Sequence, residues 1–183
     1  MPKLTVGAKM PDLTFCTPYA NGCSLSQIAR RVKGKTALVF LRYYGCTLCQ
    51  YDIHLYKEGY EKIAATGGQL LVVLQSDPGK LAVQLEGQNL PFEIICDPRE
   101  AIYKELEIAP AETLEAAIDQ ATQVKMTEMR NSGLGLKHGE YEGNEEQLPA
   151  TFVVDRDLVV TYADYPDTIG AVPSPEELAK LMA

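Results

Sequence analysis

Residues 36–56 read TALVFLRYYGCTLCQYDIHLY. The first nine form a continuous β-prone run, the pattern of a strand buried on both faces, and Gly45 ends it. From Cys46 to about Thr66 the period changes. Cys49, Ile53, Tyr56, Tyr60 and Ile63 recur at three- to four-residue steps, which marks one face of a helix. Gly67 and Gly68 punctuate its C-terminus. Two cysteines separated by two residues therefore stand where a central strand hands over to a helix.

The flanking sequence extends this pattern. QLLVVLQSD (69–77) reads as a second buried strand and PGKLAVQLEGQN (78–89) as a short helix with Pro78 in its first turn. FEIICD (92–97) is a third strand, and PREAIYKELEI (98–108) another helix. Upstream, GAKMPDLTFC (7–16) leads through a turn at YANG (19–22) into a short helix, with Ser24 as N-cap and Gln27 as its capping-box partner. Strands and helices that alternate in this way predict an α/β layer with parallel crossovers. Residues 109–147 break the rhythm: 110–130 read as one longer helix, and 131–147 as a loop of glycines and charges. A loop of that length in a compact domain is usually functional or mobile. ATFVVDRD (150–157) and LVVTYADY (158–165) then form an antiparallel hairpin, and the chain closes on a helix capped by Ser174, Pro175 and Glu177.

The chain has 183 residues, which fits one domain, 1–183, carrying an insertion at about 109–147. Its net charge of −8 gives a surface that repels phosphate backbones, so nucleic acid is excluded as a partner. No apolar stretch has the length of a membrane span. The opening MPKLTVGAKMPDL has no apolar core of a secretory signal, so the expected location is cytoplasmic. The five cysteines, Cys16, Cys23, Cys46, Cys49 and Cys96, are an odd number, which argues against a secreted disulfide framework.

At the first turn of a helix, backbone N–H groups lack intrahelical partners and the helix dipole is positive. Both features favour a thiolate at Cys46, and the thiolate is the reactive form. Cys49 lies about one turn further along the same face, at roughly 5–6 Å between Cα atoms and within disulfide range. One cysteine can attack a substrate and the other can resolve the product. Arg42 either points its guanidinium at the thiolate or pairs with a surface carboxylate. Tyr43 and Tyr44 shape a substrate surface or pack in the core. Structural zinc would need four Cys or His ligands, and there is no second closely spaced pair; inert core cysteines are the other alternative. Pro149 stands directly before a strand, where a cis Leu148–Pro149 bond would present backbone to an extended partner.

These motifs, with the GAKMPDLTF…SLSQI opening, TALVFLRYYGCTLC and LPATFVVDRDLVVTYADY, resemble the thioredoxin superfamily. The closer likeness is to its peroxiredoxin-like branch, the alkyl hydroperoxide reductase and thiol-specific antioxidant family. That resemblance implies a thioredoxin-like fold, a central mixed sheet flanked by helices. It implies an antioxidant oxidoreductase of cell redox homeostasis that reduces peroxides or exchanges disulfides, with Cys46 as nucleophile, Cys49 as resolving cysteine and Pro149 at the cis-proline position. A thioredoxin-like protein or a small thiol would be the reductant, no metal or organic cofactor is required, and a homodimer is compatible with the family. The sequence departs from it in two places. Val39 and Tyr43 replace the family's proline and its threonine or serine, and PATF replaces RATF, so the usual peroxide-polarising groups are missing unless Arg42 supplies the charge. The thioredoxin tryptophan and buried aspartate are also missing, with Gly45 and Phe40 in their places. Disulfide exchange without peroxidase activity, a non-catalytic redox sensor built on the 131–147 loop, and a zinc scaffold are the alternative readings. His54 lies too far along the helix to act as a base for Cys46. His138 either folds over the site or, the better reading, is a solvated loop histidine; Cys16 and Cys96 are either further resolving cysteines or, the better reading, buried inert thiols.

Overall fold

The computed structural model describes residues 1–183. Strand β3 (Thr36–Phe40) is buried along its whole length and forms the middle of a five-stranded sheet of order β5-β4-β3-β6-β7. It runs parallel to β4 (Gln69–Leu74), which runs parallel to β5 (Glu93–Cys96). On its other side it is antiparallel to β6 (Ala150–Val154), which forms the expected hairpin with β7 (Val160–Asp164). The sheet is therefore mixed, as anticipated.

The alternation of side chains along β3 explains its unbroken apolar sequence. Ala37 and Val39 enter one core, with Leu70, Val72, Ile94, Ile53 and Leu178. Leu38 and Phe40 enter a second core on the opposite face, with Leu71, Val73, Ile95, Phe152 and Tyr103. Each fully buried Val, Leu or Phe contributes about 1.5–3 kcal/mol. A polar residue at any of these positions would face apolar packing on whichever side it pointed.

Helix α2 (Thr47–Ala64) covers the first core with Leu48, Cys49, Ile53, Tyr56 and Ile63. The C-terminal helix α6 (Pro175–Met182) packs against it and carries the predicted capping box between Ser174 and Glu177. A Cβ at Gly59 would lie 2.5 Å from the Pro175 ring, so the two helices approach closely only because residue 59 is glycine. Helix α1 (Leu25–Ala29) starts at the predicted Ser24 cap, and α3 (Pro78–Gln84) starts at Asp77. Helix α4 (Ala101–Glu105) is capped by buried Asp97, whose carboxylate accepts from the N–H groups of Ala101, Ile102 and Tyr103. The Tyr103 hydroxyl bonds the carbonyls of Leu41 and Val73 at 2.7 and 2.9 Å, which ties α4 to the end of the central strand.

The N-terminal segment straps the sheet. Gly7 and Met10 donate to Val160 and Leu158 beside β7, and the short strands β1 (Thr14–Phe15) and β2 (Cys23–Ser24) form a small antiparallel pair. Cys16, one residue beyond β1, bridges to Cys96 at the end of β5.

Two expectations need correction. Residues 110–130 do not form one helix. A short 3-10 turn at Glu115–Ala117 gives way to an extended Ile118, and helix α5 (Gln120–Asn131) begins only where the Asp119 carboxylate accepts from the Thr122 N–H at 2.8 Å. That aspartate cap interrupts a sequence whose helical propensity is otherwise continuous. The Leu148–Pro149 bond is trans, as is every peptide bond in the chain. Pro149 is buried, and the Gln147 side chain beside it donates to the carbonyls of Ile108 and Leu148 at 2.9 and 3.1 Å. Pro110 also bridges to Gln147. The segment before β6 is therefore held by the chain's own groups.

Candidate active site

The ladder with β4 continues past the end of β3. Leu41 donates to Val73, Gln75 donates to Arg42 at 2.6 Å, and the Tyr44 N–H donates to the Ser76 hydroxyl at 3.1 Å. This extension fixes residues 41–44 at the carboxyl end of the parallel strands. The chain then turns through Gly45, with the Cys46 N–H on the Tyr43 carbonyl, and enters α2.

Cys46 is the N-cap of α2, one position earlier than the first-turn placement expected from the sequence. Its sulfur accepts from the Cys49 N–H at 3.3 Å and from Arg42 Nη2 at 2.9 Å. The Cys49 sulfur accepts from the Arg42 backbone N–H at 3.4 Å. Both thiols are buried, at 2% and 4% exposure. The Cys46 thiol is lowered from 9.0 to about 6. The largest cause is the Cys49 thiol donating to it; burial works against this, and the Arg42 charge and the Cys49 N–H assist. Cys49 moves the other way, raised by its own burial and then by the neighbouring Cys46. The pair therefore divides into a thiolate at the helix start and a protonated thiol one turn inside. No third His, Cys, Asp or Glu joins them in a metal-binding group.

Arg42 does both things foreseen for it. Nη2 serves Cys46 while Nη1 donates to the Glu145 carbonyl at 2.9 Å and meets its carboxylate at 3.4 Å. Its side chain is only 11% exposed, so the charge acts through little water. Tyr43 is fully buried, and its hydroxyl donates to the Glu145 carboxylate and meets His138 Nε2 at 3.1 Å. Burial and Glu145 together push that phenol well above its usual range. His138 is exposed, as expected of a loop histidine, yet it stacks on Tyr141 at 4.2 Å and reaches over Tyr43. Tyr44 is half-buried and accepts from Gln88 at 2.7 Å. His54 is half-buried along α2, away from these groups.

Glu145 is the site residue that the sequence reading missed. It arrives on the loop between α5 and β6, which is fastened across the mouth of the site at several points. The Gly139 N–H donates to the Gly45 carbonyl at 2.8 Å, and Gln50 donates to the Lys137 carbonyl at 3.1 Å. Lys80 pairs with Glu140 at 2.6 Å, and the Asp77 N–H donates to Glu142 at 3.0 Å. Gln75 accepts from the Asn144 N–H at 2.9 Å. A Cβ on Gly45 would fall 2.3 Å from the Glu140 carbonyl oxygen, so the loop closes over this turn only because residue 45 is glycine.

Pro149 lies on the inner side. With Arg42, Cys49, Asp52 and Gln147 it lines a cavity of about 10 Å³, at the lower limit for one water. Asp52, on the next turn after Cys49, is buried and ion-paired to Lys125 of α5. Burial raises its carboxyl while Lys125 lowers it.

No curated protein matches the sequence. Among solved structures the chain is similar to the peroxidoxin BcpB of Mycobacterium tuberculosis, at 14% identity and a TM-score of 0.65 over 96% of this chain and 92% of that one. A thiol peroxidase from Chromobacterium violaceum matches at 14% identity and a TM-score of 0.62, over 98% and 87% of the two chains. A putative thiol:disulfide interchange protein DsbE from Chlorobium tepidum matches at 16% and 0.60, over 97% and 94%. At these identities the likeness shows the thioredoxin-like fold. The model of the AhpC/TSA family matches residues 6–163, from the N-terminal strap to the end of β7 apart from its last residue. The chain belongs to the AhpC/TSA family and is an oxidoreductase.

Proposed function

We propose that this chain is a thiol-dependent peroxidase in which Cys46 is the nucleophile, Cys49 resolves it, and Arg42 supplies the charge that activates both sulfur and peroxide. The observation that carries the reading is the 2.9 Å hydrogen bond from Arg42 Nη2 to the Cys46 sulfur, made by a guanidinium that Glu145 holds from its other side. Arg42 takes the part of the family's missing arginine, reaching the sulfur from the strand that precedes it.

The reaction balances without a cofactor. The Cys46 thiolate attacks one peroxide oxygen, the O–O bond breaks, and the departing oxygen leaves as an alcohol or water after taking a proton. Cys46 is left as a sulfenic acid. The Cys49 thiol condenses with it, forming the Cys46–Cys49 disulfide and releasing water. Two electrons from a thioredoxin-like protein or a small thiol restore the dithiol. The near-complete burial of Cys46 beneath the 132–147 loop favours a small peroxide over a folded disulfide substrate. Pro149 completes the wall behind Cys49. We place this activity in the cytoplasm, in redox homeostasis, within one domain whose 109–147 segment is an insertion and whose assembly is a homodimer.

The second reading is disulfide exchange without peroxidase activity. It is favoured by the position of Cys49, one turn from Cys46 and ready to resolve a mixed disulfide. A third, a redox sensor, is favoured by the hydrogen bond between the loop and Gly45, next to Cys46. Stopped-flow oxidation of the reduced protein by hydrogen peroxide separates them, with Cys46→Ser and Cys49→Ser alongside. The peroxidase reading requires oxidation much faster than that of a free thiol, abolished by Cys46→Ser. A rate no faster than a free thiol overturns it in favour of disulfide exchange. Limited proteolysis of the loop in both redox states tests the sensor: identical digestion removes it.

A further inference from the structure

Three cysteines lie outside the Cys46–Cys49 site, and two of them face each other. Cys16 and Cys96 are directly opposed in an antiparallel bridge, with the Cys96 N–H donating to the Cys16 carbonyl at 2.8 Å. Opposed residues of an antiparallel pair project their side chains to the same face, with Cα atoms about 4.5–5.5 Å apart. That separation lies inside the range a disulfide spans. Both thiols are free, and Cys16 is half-exposed while Cys96 is buried. The Cys96 thiol is raised to about 12, first by its burial and next by Cys16, so the two sulfurs feel each other.

Cys23 does not compete for either. It is opposed to Phe15, the neighbour of Cys16 in sequence, and so belongs to the other face of the pleat. It packs against the core that holds Phe15 and Phe152, whereas Cys96 belongs to the core beneath α2.

We propose that Cys16 and Cys96 are a second redox pair, forming a disulfide that fastens the N-terminal strap to the outer edge of β5. The chemistry is independent of the peroxidase reading. The half-exposed Cys16, as its thiolate, attacks a low-molecular-weight disulfide; one S–S bond forms, one breaks, and one small thiolate departs. The Cys96 sulfur then attacks the Cys16 sulfur of the mixed disulfide. The second small thiolate leaves, and the Cys96 proton passes to it. Two protein thiols lose two electrons, and the small disulfide becomes two thiols. The mixed disulfide on Cys16 is the obligate intermediate and precedes the product.

The test uses the full chain carrying Cys23→Ser, Cys46→Ser and Cys49→Ser, which leaves only the proposed pair. Incubation with excess oxidised glutathione is followed by intact mass and by peptide mapping under non-reducing conditions. The expected result is a transient glutathione adduct, then a loss of about 2 Da, a linked Cys16–Cys96 peptide, and a Tm about 5–15 °C above the reduced form. A persistent adduct on Cys16, or two unchanged thiols, overturns the proposal. Should the triple variant not fold, the wild-type chain is oxidised with diamide and mapped beside Cys16→Ser. The Cys16–Cys96 peptide is expected in the first and absent from the second. A map that shows Cys46–Cys49 but no Cys16–Cys96 peptide in the wild type overturns the pair while leaving the active-site reading intact.

Discussion

The Arg42 guanidinium joins the Cys46 sulfur to Glu145, with one nitrogen on each. A single cation thus sits between a thiolate-forming group and the loop that covers it. The pH at which Cys46 ionises is therefore set by groups that mutagenesis can reach singly. The largest influence is the Cys49 thiol, with the Arg42 charge behind it. In Cys49→Ala the donor is lost, and in Arg42→Met the charge is lost. Both substitutions should raise the midpoint of Cys46 alkylation by iodoacetamide from about 6 toward 9.0. Once the midpoint has passed the working pH, each further unit of rise slows alkylation about tenfold. An unchanged midpoint in both variants would mean that neither group holds the thiolate.

The same shift has a consequence for stability. A thiol whose value is depressed on folding binds its proton less readily in the folded state than in the unfolded chain. Its contribution is full above the unfolded value and is lost as pH falls through about 6. Between those limits the reduced wild type should gain on Cys46→Ser as pH rises, by on the order of a few kcal/mol. Urea melts of both proteins at pH 5.5, 7 and 8.5 provide the measurement. A difference in stability that stays flat across this range would contradict the assignment.

Gly45→Ala should act as a wedge. The added methyl would lie 2.3 Å from the Glu140 carbonyl and 2.9 Å from the Gly139 carbonyl carbon, both main-chain atoms that cannot rotate away. The 132–147 loop has to lift, at a cost of about 1–3 kcal/mol. Protease cleavage in that loop should increase, and Cys46 alkylation should quicken several-fold because its cover has moved. Unchanged cleavage and alkylation would show that the loop does not limit access.

Asp52 and Lys125 form the one ion pair with both partners largely buried, at 4% and 17% side-chain exposure. Lys125→Met strands a buried carboxylate and should destabilise the chain by about 3–5 kcal/mol. The double variant Asp52→Leu with Lys125→Met should recover much of that loss, because the desolvation penalty disappears with the pair. Chemical denaturation of the three proteins distinguishes a charge effect from lost packing, since a packing loss would not be recovered by the second substitution.

How much of this was legible in the sequence follows from the range of the interactions involved. The sheet was readable because β3, β4 and β6 are buried on both faces, which leaves unbroken apolar runs. Cys46, Cys49 and Arg42 lie within seven residues of one another, so local geometry was enough to group them. Glu145 meets Tyr43 across 102 residues, on a loop with no periodicity to read, and no single-sequence pattern singled it out. His138 has the same problem, being an exposed loop residue by every local criterion. The interruption of the 110–130 helix was hidden in Asp119, which competes for the helix backbone as a cap and which a propensity sum treats as one more tolerable residue. The expected cis bond at Pro149 came from a proline placed directly before a strand and from a family position, whereas here Gln147 holds the preceding carbonyl.

The N-terminal strap has a consequence for colloidal behaviour. It touches down beside β7 through Gly7 and Met10 and beside β5 through Cys16, at opposite margins of the sheet. Open margins of a sheet are templates on which another chain can add a strand, and natural proteins shield them. One short segment here shields part of both. Loss of its first sixteen residues would take Leu4, Met10, Leu13 and Phe15 out of the second core and unmask hydrogen-bonding backbone on either flank, converting a discrete particle into one able to grow by lateral addition.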